Sequence, residues 1–135
     1  VLAQVGFPNM ELPILYALTH PDRVADSGAT RFDPTLSSLT FEAADTDRFP
    51  ALALGIRAGS VGECAPVVFN AANEAAVCLF LDGAISFGDI PRGILSALRQ
   101  LANMPAGSIP DLVAADGAAR SHVRQLFLKD SSRTQ

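Results

Sequence analysis

The chain has little of what marks several large protein classes. Its 135 residues include no tryptophan, one tyrosine, two cysteines and ten basic residues, of which only Lys129 is a lysine. Acidic residues number 14, so the net charge is −4. The absence of a basic face argues against binding to nucleic acid or to an anionic membrane. No apolar run reaches the roughly 18 to 20 residues that a membrane-spanning helix needs.

The two cysteines, Cys64 and Cys78, fit no metal-ligand spacing, and both lie among apolar neighbours. A disulfide framework would need more cysteines and an oxidising compartment. We therefore expect both to be small buried thiols in a reducing compartment.

What is present suffices for one folded domain, with or without an extra arm. A chain of this length buries a core without help from metals or disulfides. Hydrophobic residues make up 49% of it and the mean hydropathy is +0.27, which excludes disorder as its general state. Charged residues make up only 18%, which predicts that part of the surface is covered by something else.

The beginning of the chain resembles an arm more than a core. Residues 1–5 have the pattern of a strand without a nearby partner, and a lone strand cannot satisfy its own backbone groups. We therefore expect either a fragment of a longer protein or pairing with another chain. A turn at residues 6–9 and a helix over residues 11–19 follow, with Pro13 in the first turn of the helix.

The rest of this arm carries few signals of regular structure. Residues 22–36 are rich in Asp, Ser, Gly and Pro, which predicts a linker or a surface loop. Beyond them, Leu39-Thr40-Phe41 predicts a short β-like stretch. No core can be assembled from this part alone.

From residue 45 onward the apolar residues recur at helical spacing. Capping residues, prolines in first turns and glycines behind last turns bound the segments. The fourth segment is predicted to break near Asp116-Gly117, where Asp116 would cap a final helix. The predicted helices cover residues 50–58, 66–81, 89–102, a short stretch from 109, and 116–129.

These patterns predict a mainly α protein. We expect a four-helix-type bundle over residues 45–130, preceded by a strand and linker arm over residues 1–44. Residues 131–135 form a polar tail. The helix over residues 66–81 is apolar almost all the way round and is therefore expected at the centre of the bundle.

Three polar side chains interrupt this central helix, and their spacing places them on one face. Asn70, Asn73 and Glu74 stand at i, i+3 and i+4. A glutamate among apolar neighbours costs free energy unless it is paired or hydrogen-bonded. In one interpretation the three residues dock the helix onto a neighbouring segment; in the other they line a ligand or metal site. Two amides and one carboxylate make a poor transition-metal site.

No catalytic constellation is visible in the sequence. His20 precedes a proline at a helix end, and His122 is expected on an exposed basic face, so neither suggests a catalytic base. Arg120 and Arg124 could bind a phosphate or could form a solvated face. No glycine-rich phosphate loop, nucleophile motif or metal cluster occurs. The residues alone predict that the chain by itself is not an enzyme.

Several motifs resemble, in order and spacing, the C-terminal part of the 1-deoxy-D-xylulose 5-phosphate reductoisomerase family. The resemblance covers nearly the whole chain, so it is more specific than any single motif. The motifs are Val1-Leu2-Ala3-Gln4-Val5-Gly6, Pro8-Asn9-Met10 with Pro13-Ile14, Leu39-Thr40-Phe41-Glu42, Asp47-Arg48-Phe49-Pro50, Asn70-Ala71-Ala72-Asn73-Glu74 and Gly83-Ala84-Ile85-Ser86-Phe87 with Asp89-Ile90-Pro91.

The resemblance implies a homodimeric, NADPH-dependent oxidoreductase and isomerase of non-mevalonate isoprenoid biosynthesis. Its product would be 2-C-methyl-D-erythritol 4-phosphate, its metal Mg²⁺ or Mn²⁺, and its location the cytoplasm, or a plastid in a plant or alga. This chain would be the last third, from the final strand of the central domain onward. The family's NADPH-binding domain and metal-binding carboxylates lie upstream, so the resemblance implies no catalytic or metal-binding residue here and no cofactor bound by the fragment.

One cofactor contact can be carried over from the family. The Pro8-Asn9-Met10 turn matches a turn beside the nicotinamide pocket, which makes Met10 the candidate cofactor-binding residue. The family usually has Asp before this Met and a basic residue after it, whereas Asn9 and Glu11 stand here. We expect an inactive C-terminal part of the enzyme, whose partners are its own upstream domains. The alternative is a stand-alone helical interaction module that pairs its arm with a partner strand.

Overall fold

The structure is a computed structural model that describes residues 6–25, 28, 30, 32–36 and 38–131, with side chains described as far as residue 128. The predicted strand over residues 1–5 lies outside the described residues. Contacts divide the chain into two compact units, Val1–Ala43 and Ala44–Gln135, and each is described by itself.

The described residues of the first unit include one α-helix and one short 3-10 helix. Helix α1 spans Glu11–Thr19, as predicted, and the 3-10 helix spans Pro34–Leu36. The predicted turn is present, because the Asn9 N–H donates to the Phe7 carbonyl at 2.8 Å. No residue of α1 is buried. The β-like prediction for Leu39-Thr40-Phe41 is wrong, since these residues form no strand; a strand requires a partner for its backbone groups.

The second unit is the predicted helical bundle. Its helices are α2 (Pro50–Val61), α3 (Ala65–Leu81), α4 (Asp89–Leu101) and α5 (Ile109–Ser131). Helix α3 packs against the other three helices, most extensively against α4 and α5. Helix α4 also contacts α2 and α5, whereas α2 and α5 do not contact each other. The prediction that the helix over residues 66–81 is the central helix is therefore confirmed. Among the described residues, no helix is both long and apolar enough to span a membrane.

Side-chain hydrogen bonds explain where α4 and α5 begin. Asp89 accepts hydrogen bonds from the Ser86 hydroxyl at 2.7 Å and from the Ser86 N–H at 2.9 Å. Ser108 donates to the Asp111 carboxylate at 2.8 Å and accepts from the Asp111 N–H at 3.3 Å. Both pairs have the Ser-x-x-acid spacing of a capping box. Only Ser108 accepts from an N–H group of the first helical turn, whereas Asp89 ties the preceding turn to the start of α4.

The start of α2 differs from these two. Asp45 accepts from the N–H groups of Asp47 and Arg48, so it stabilises the turn before the helix. The N-cap of α2 is Phe49, without a side-chain cap, and Pro50 occupies the first turn. The helix runs to Val61, three residues past the predicted end at residue 58.

Alanine supplies most of the buried side chains of the bundle. Within α3, Ala71, Ala72 and Ala76 are completely buried, and Ala75 nearly so. The larger core residues come from several helices: Val68, Ile94, Val123 and Phe127 are buried with them. Small side chains let helix backbones approach closely, and interiors packed at this density tolerate little added volume.

Helix α5 is continuous, which corrects the predicted break at Asp116-Gly117. It spans 23 residues, and Ala115 and Ala119, on either side of the expected break, are both fully buried. Burying this face favours an unbroken helix over the local turn preference of the Asp-Gly pair. Asp116 is therefore an interior helical residue and caps nothing.

The two cysteines differ in their surroundings. Cys64 is buried, as predicted, and its thiol donates to the Pro105 carbonyl at 3.4 Å. Burial raises the pKa of this thiol. Cys78 is exposed, so the prediction of burial is wrong there. The apolar helix containing it has one side that the bundle leaves uncovered.

Two glycines inside helices provide a matched test of this packing. Nothing lies within 4 Å of the point where a Cβ would stand on Gly117, so Gly117→Ala should stabilise the bundle by about 0.5–1 kcal/mol through helix propensity. A Cβ on Gly93 would lie 3.2 Å from the buried Phe127 ring, over which Arg92 stacks at 5.0 Å. Gly93→Ala should therefore destabilise it by about 1 kcal/mol or more.

Urea unfolding followed by circular dichroism measures both variants against the unchanged chain. A loss of stability in Gly117→Ala would contradict a continuous α5. A gain in Gly93→Ala would show that α4 and α5 are not in close contact at this point.

Candidate functional site

The candidate site lies where polar side chains of α3 and α5 meet. Arg120 Nη2 donates to Glu74 Oε2 at 2.7 Å, across the two helices. The same guanidinium donates from Nε to Asp116 Oδ2 at 2.7 Å and from Nη2 to Asp116 Oδ1 at 3.0 Å. Asn70 Nδ2 donates to Glu74 Oε1 at 3.0 Å. One arginine thus joins two carboxylates, and an amide positions one of them.

The charges at this cluster stabilise one another. Hydrogen bonds from Arg120, and then from Asn70, lower the pKa of Glu74, while hydrogen bonds from Arg120 lower the pKa of Asp116. The two carboxylates raise the pKa of Arg120 in turn. The Glu74 side chain is 51% exposed and that of Arg120 is 30% exposed, so water screens the pair and its contribution is small.

Of the three predicted docking residues, the structure joins two. Asn70 and Glu74 share a hydrogen bond, and Glu74 reaches a neighbouring helix. Asn73 is half-buried, and its side chain forms no hydrogen bond with the residues that the structure describes. Docking by this face remains a prediction, and the observed contact is with α5 of the same bundle.

The arrangement does not suit a metal ion. A guanidinium stands between the two carboxylates, where a cation would have to bind. In the described part of the chain, no three residues among His, Cys, Asp and Glu come close enough together to hold a metal. The cluster therefore suits a link between helices.

The two histidines have different environments. His20 is exposed and stacks edge-to-face on Tyr16, with ring centroids 5.7 Å apart. His122 is half-buried rather than on the expected exposed face, and its Nε2 lies 2.8 Å from the Ser96 hydroxyl. Among the described residues no carboxylate is hydrogen-bonded to the His122 ring, so the pair lacks the third member of a catalytic triad. It fastens α4 to α5.

Met10, the candidate cofactor contact, lies in the first unit at the N-terminus of α1. Its backbone carbonyl accepts from the Ile14 N–H at 3.0 Å, which begins the helix. Its side chain is 65% exposed, and its neighbours Asn9 and Glu11 are exposed as well. The side chain is thus available to a ligand, and its cofactor role remains a prediction.

Sequence reasoning missed the partners of Glu74. The i, i+4 spacing of Asp116 and Arg120 could have indicated their ion pair. The predicted helix break near Asp116-Gly117 hid this pair, because the i, i+4 rule applies only within one continuous helix. No spacing rule could pair Glu74 with Arg120, because 46 residues separate them.

Comparison with known proteins yields one consistent family. The family model described as DXP reductoisomerase C-terminal domain matches residues 5–122. The 1-deoxy-D-xylulose 5-phosphate reductoisomerase of Cupriavidus metallidurans is 47% identical over 121 residues, which make up 89% of this chain and 31% of that protein.

Solved structures agree with this result. The reductoisomerase from Zymomonas mobilis in complex with NADPH matches with a TM-score of 0.71 and 40% identity, over 93% of this chain and 33% of that one. A DOX-P reductoisomerase in complex with NADPH, fosmidomycin and magnesium matches with a TM-score of 0.70 and 32% identity, also over 93% and 33%. The chain spans about a third of the length of the relatives it matches.

The lowered carboxylate pKa values predict acid sensitivity. A lowered folded-state pKa means that the contribution of Glu74 to stability is fully present above its unfolded-state pKa, about 4, and is lost as the pH falls through the folded-state value. Glu74→Gln should therefore lower the urea midpoint at about pH 7, and the difference from the unchanged chain should shrink as the pH falls toward about 3.

Glu63→Gln is the matched control, because Glu63 is exposed and its side chain forms no hydrogen bond among the described residues. It should leave the midpoint unchanged at both pH values. An equal loss for Glu74→Gln at both pH values would show that its charge plays no part.

Proposed function

Since this chain belongs to the DXP reductoisomerase C-terminal domain family, we propose that it forms the C-terminal part of an enzyme that converts 1-deoxy-D-xylulose 5-phosphate to 2-C-methyl-D-erythritol 4-phosphate with NADPH. The match of the family model to residues 5–122 carries the proposal. Such an enzyme serves isoprenoid biosynthesis by the non-mevalonate route.

In this proposal the bundle supports chemistry performed by the rest of the enzyme. Structures of relatives hold NADPH and magnesium. The two-carboxylate cluster of this chain is filled by Arg120, so it offers no vacant set of metal ligands. We therefore assign NADPH and Mg²⁺ or Mn²⁺ to upstream domains of the same protein, and we expect no turnover from this chain alone.

The two units would have separate tasks. Residues 1–44 would complete the central domain with its final strand and provide the linker, while residues 45–130 would form the supporting bundle and residues 131–135 a polar tail. The face with Asn70, Asn73 and Glu74 would anchor the bundle to its connecting segment. The complete protein would be a homodimer in the cytoplasm; the relative quoted above is bacterial.

A chimera tests the function. This chain would replace the matching region of the Cupriavidus metallidurans enzyme, to which it is 47% identical over 121 residues. With 1-deoxy-D-xylulose 5-phosphate and Mg²⁺, the chimera should oxidise NADPH, and this chain alone should not. Turnover by the chain alone would overturn the proposal. So would a chimera that is inactive although the fluorescence of NADPH shows that it still binds this cofactor.

The same chimera tests Met10. If its side chain packs on the nicotinamide, Met10→Ala should raise KM for NADPH roughly three- to tenfold through lost apolar contact. The substrate KM should change little. The control is Leu18→Ala, which removes another exposed apolar side chain of α1, 80% exposed. An equal change in both variants, or none for Met10→Ala, would remove Met10 from the cofactor site.

A further inference from the structure

A groove of about 320 Å³ lies between α2 and α4. Apolar side chains that include Leu54, Leu95 and Leu98 line most of it, and the buried Ala58 and Ala65 lie deepest. Its volume is at the lower end of the roughly 300–1,000 Å³ of small-molecule sites. The groove has room for a small apolar body.

The polar residues around this groove are Arg57, Arg99 and Asn103, and no carboxylate is among the described residues that line it. This is unusual for a chain with 14 acidic and ten basic residues. Among the residues that the structure describes, neither Arg57 nor Arg99 forms an ion pair, in contrast to Arg120. Both arginine side chains are exposed.

Helix stability explains only one of these arginines. Arg99 lies in the last turn of α4, where a cation favours the helix macrodipole. Arg57 lies before the last turn of α2, so the same reason does not place it there. The two arginines come from different helices and border one groove, so both are beside any ligand that occupies it.

A neighbouring groove along α4 is also lined by arginine and leucine side chains. It lies on the α5 side and is lined by Arg92, Ser96, Arg99 and Gln100, together with Leu95 and Leu126, again without a carboxylate. Arg99 and Leu95 line both grooves. Arg92 is paired with Asp89 of the same helix at 3.3 Å, so Arg99 is the arginine of α4 whose charge faces both grooves.

We propose that the α2–α4 groove binds a small amphipathic anion, whose apolar body lies on the leucine and alanine floor and whose carboxylate or phosphate head is bound by Arg57 and Arg99. Guanidinium groups recognise both kinds of head through charge-assisted, paired hydrogen bonds. Asn103 can donate a further hydrogen bond from its amide. This site shares no residue with the Arg120 cluster.

The test uses the 135-residue chain and nuclear magnetic resonance shift mapping with four probes. Octanoate and octyl phosphate combine an apolar body with each kind of head. Inorganic phosphate supplies a head alone, and octyltrimethylammonium supplies the body with the opposite charge. We expect octanoate or octyl phosphate to shift the signals of Arg57, Arg99 and Asn103, and the stronger of the two identifies the head.

Charge-removing variants locate the site. The double variant Arg57→Gln, Arg99→Gln should raise Kd for the stronger anion at least about tenfold, because each guanidinium supplies a charge-assisted bond. Arg124→Gln is the control, since it removes an exposed arginine of α5 that borders neither groove. It should leave Kd unchanged.

A second pair of variants leaves the arginines intact. Val61 lines the groove and is 57% exposed, whereas Val113 lies on α5 and is 65% exposed. Val61→Glu should weaken binding of the anion by placing a carboxylate beside Arg57, and Val113→Glu should not. The proposal fails if octyltrimethylammonium binds as well as the anions, if neither anion shifts the groove signals, or if the controls weaken binding as much as the groove variants.

Discussion

The close approach of α3 to its neighbours is the constraint on which the rest of the bundle depends. Its buried side is made largely of alanine, and Ala71, Ala72 and Ala76 are fully enclosed. Small side chains bring the helix backbones close together, so larger residues such as Ile94 and Val123 fit only at particular positions. Gly93 extends the same principle to the contact between α4 and α5, where a single added carbon would meet Phe127.

The polar links follow from this packing. Because α3 and α5 lie close together, Glu74 and Arg120 meet across them at 2.7 Å, and because α4 and α5 lie close together, Ser96 meets His122 at 2.8 Å. Such exposed or half-exposed links add little stability. They do fix which faces of the helices are opposed, so the helices keep one register.

Sequence patterns located most of the helix boundaries but not the contacts between the helices. Prolines, caps and glycines are local, and they placed α1 exactly and α4 to within one residue. The predicted break in α5 shows the limit, since a local turn signal was outweighed by burial of Ala115 and Ala119. Cys78 shows it too, because an apolar neighbourhood in sequence does not reveal which side of a helix is covered. The meeting of Glu74 with Arg120 depends on the fold as a whole.

An alanine core also shapes how the bundle responds to temperature. Each alanine removes only about one methyl group from water, so unfolding such a core exposes less apolar surface than a leucine core of the same length would. The heat-capacity increment of unfolding grows with that surface, and it sets the curvature of stability against temperature. A bundle held together by α3 in this way should have a flat stability curve, which resists cold as well as mild heat without being especially stable at any one temperature.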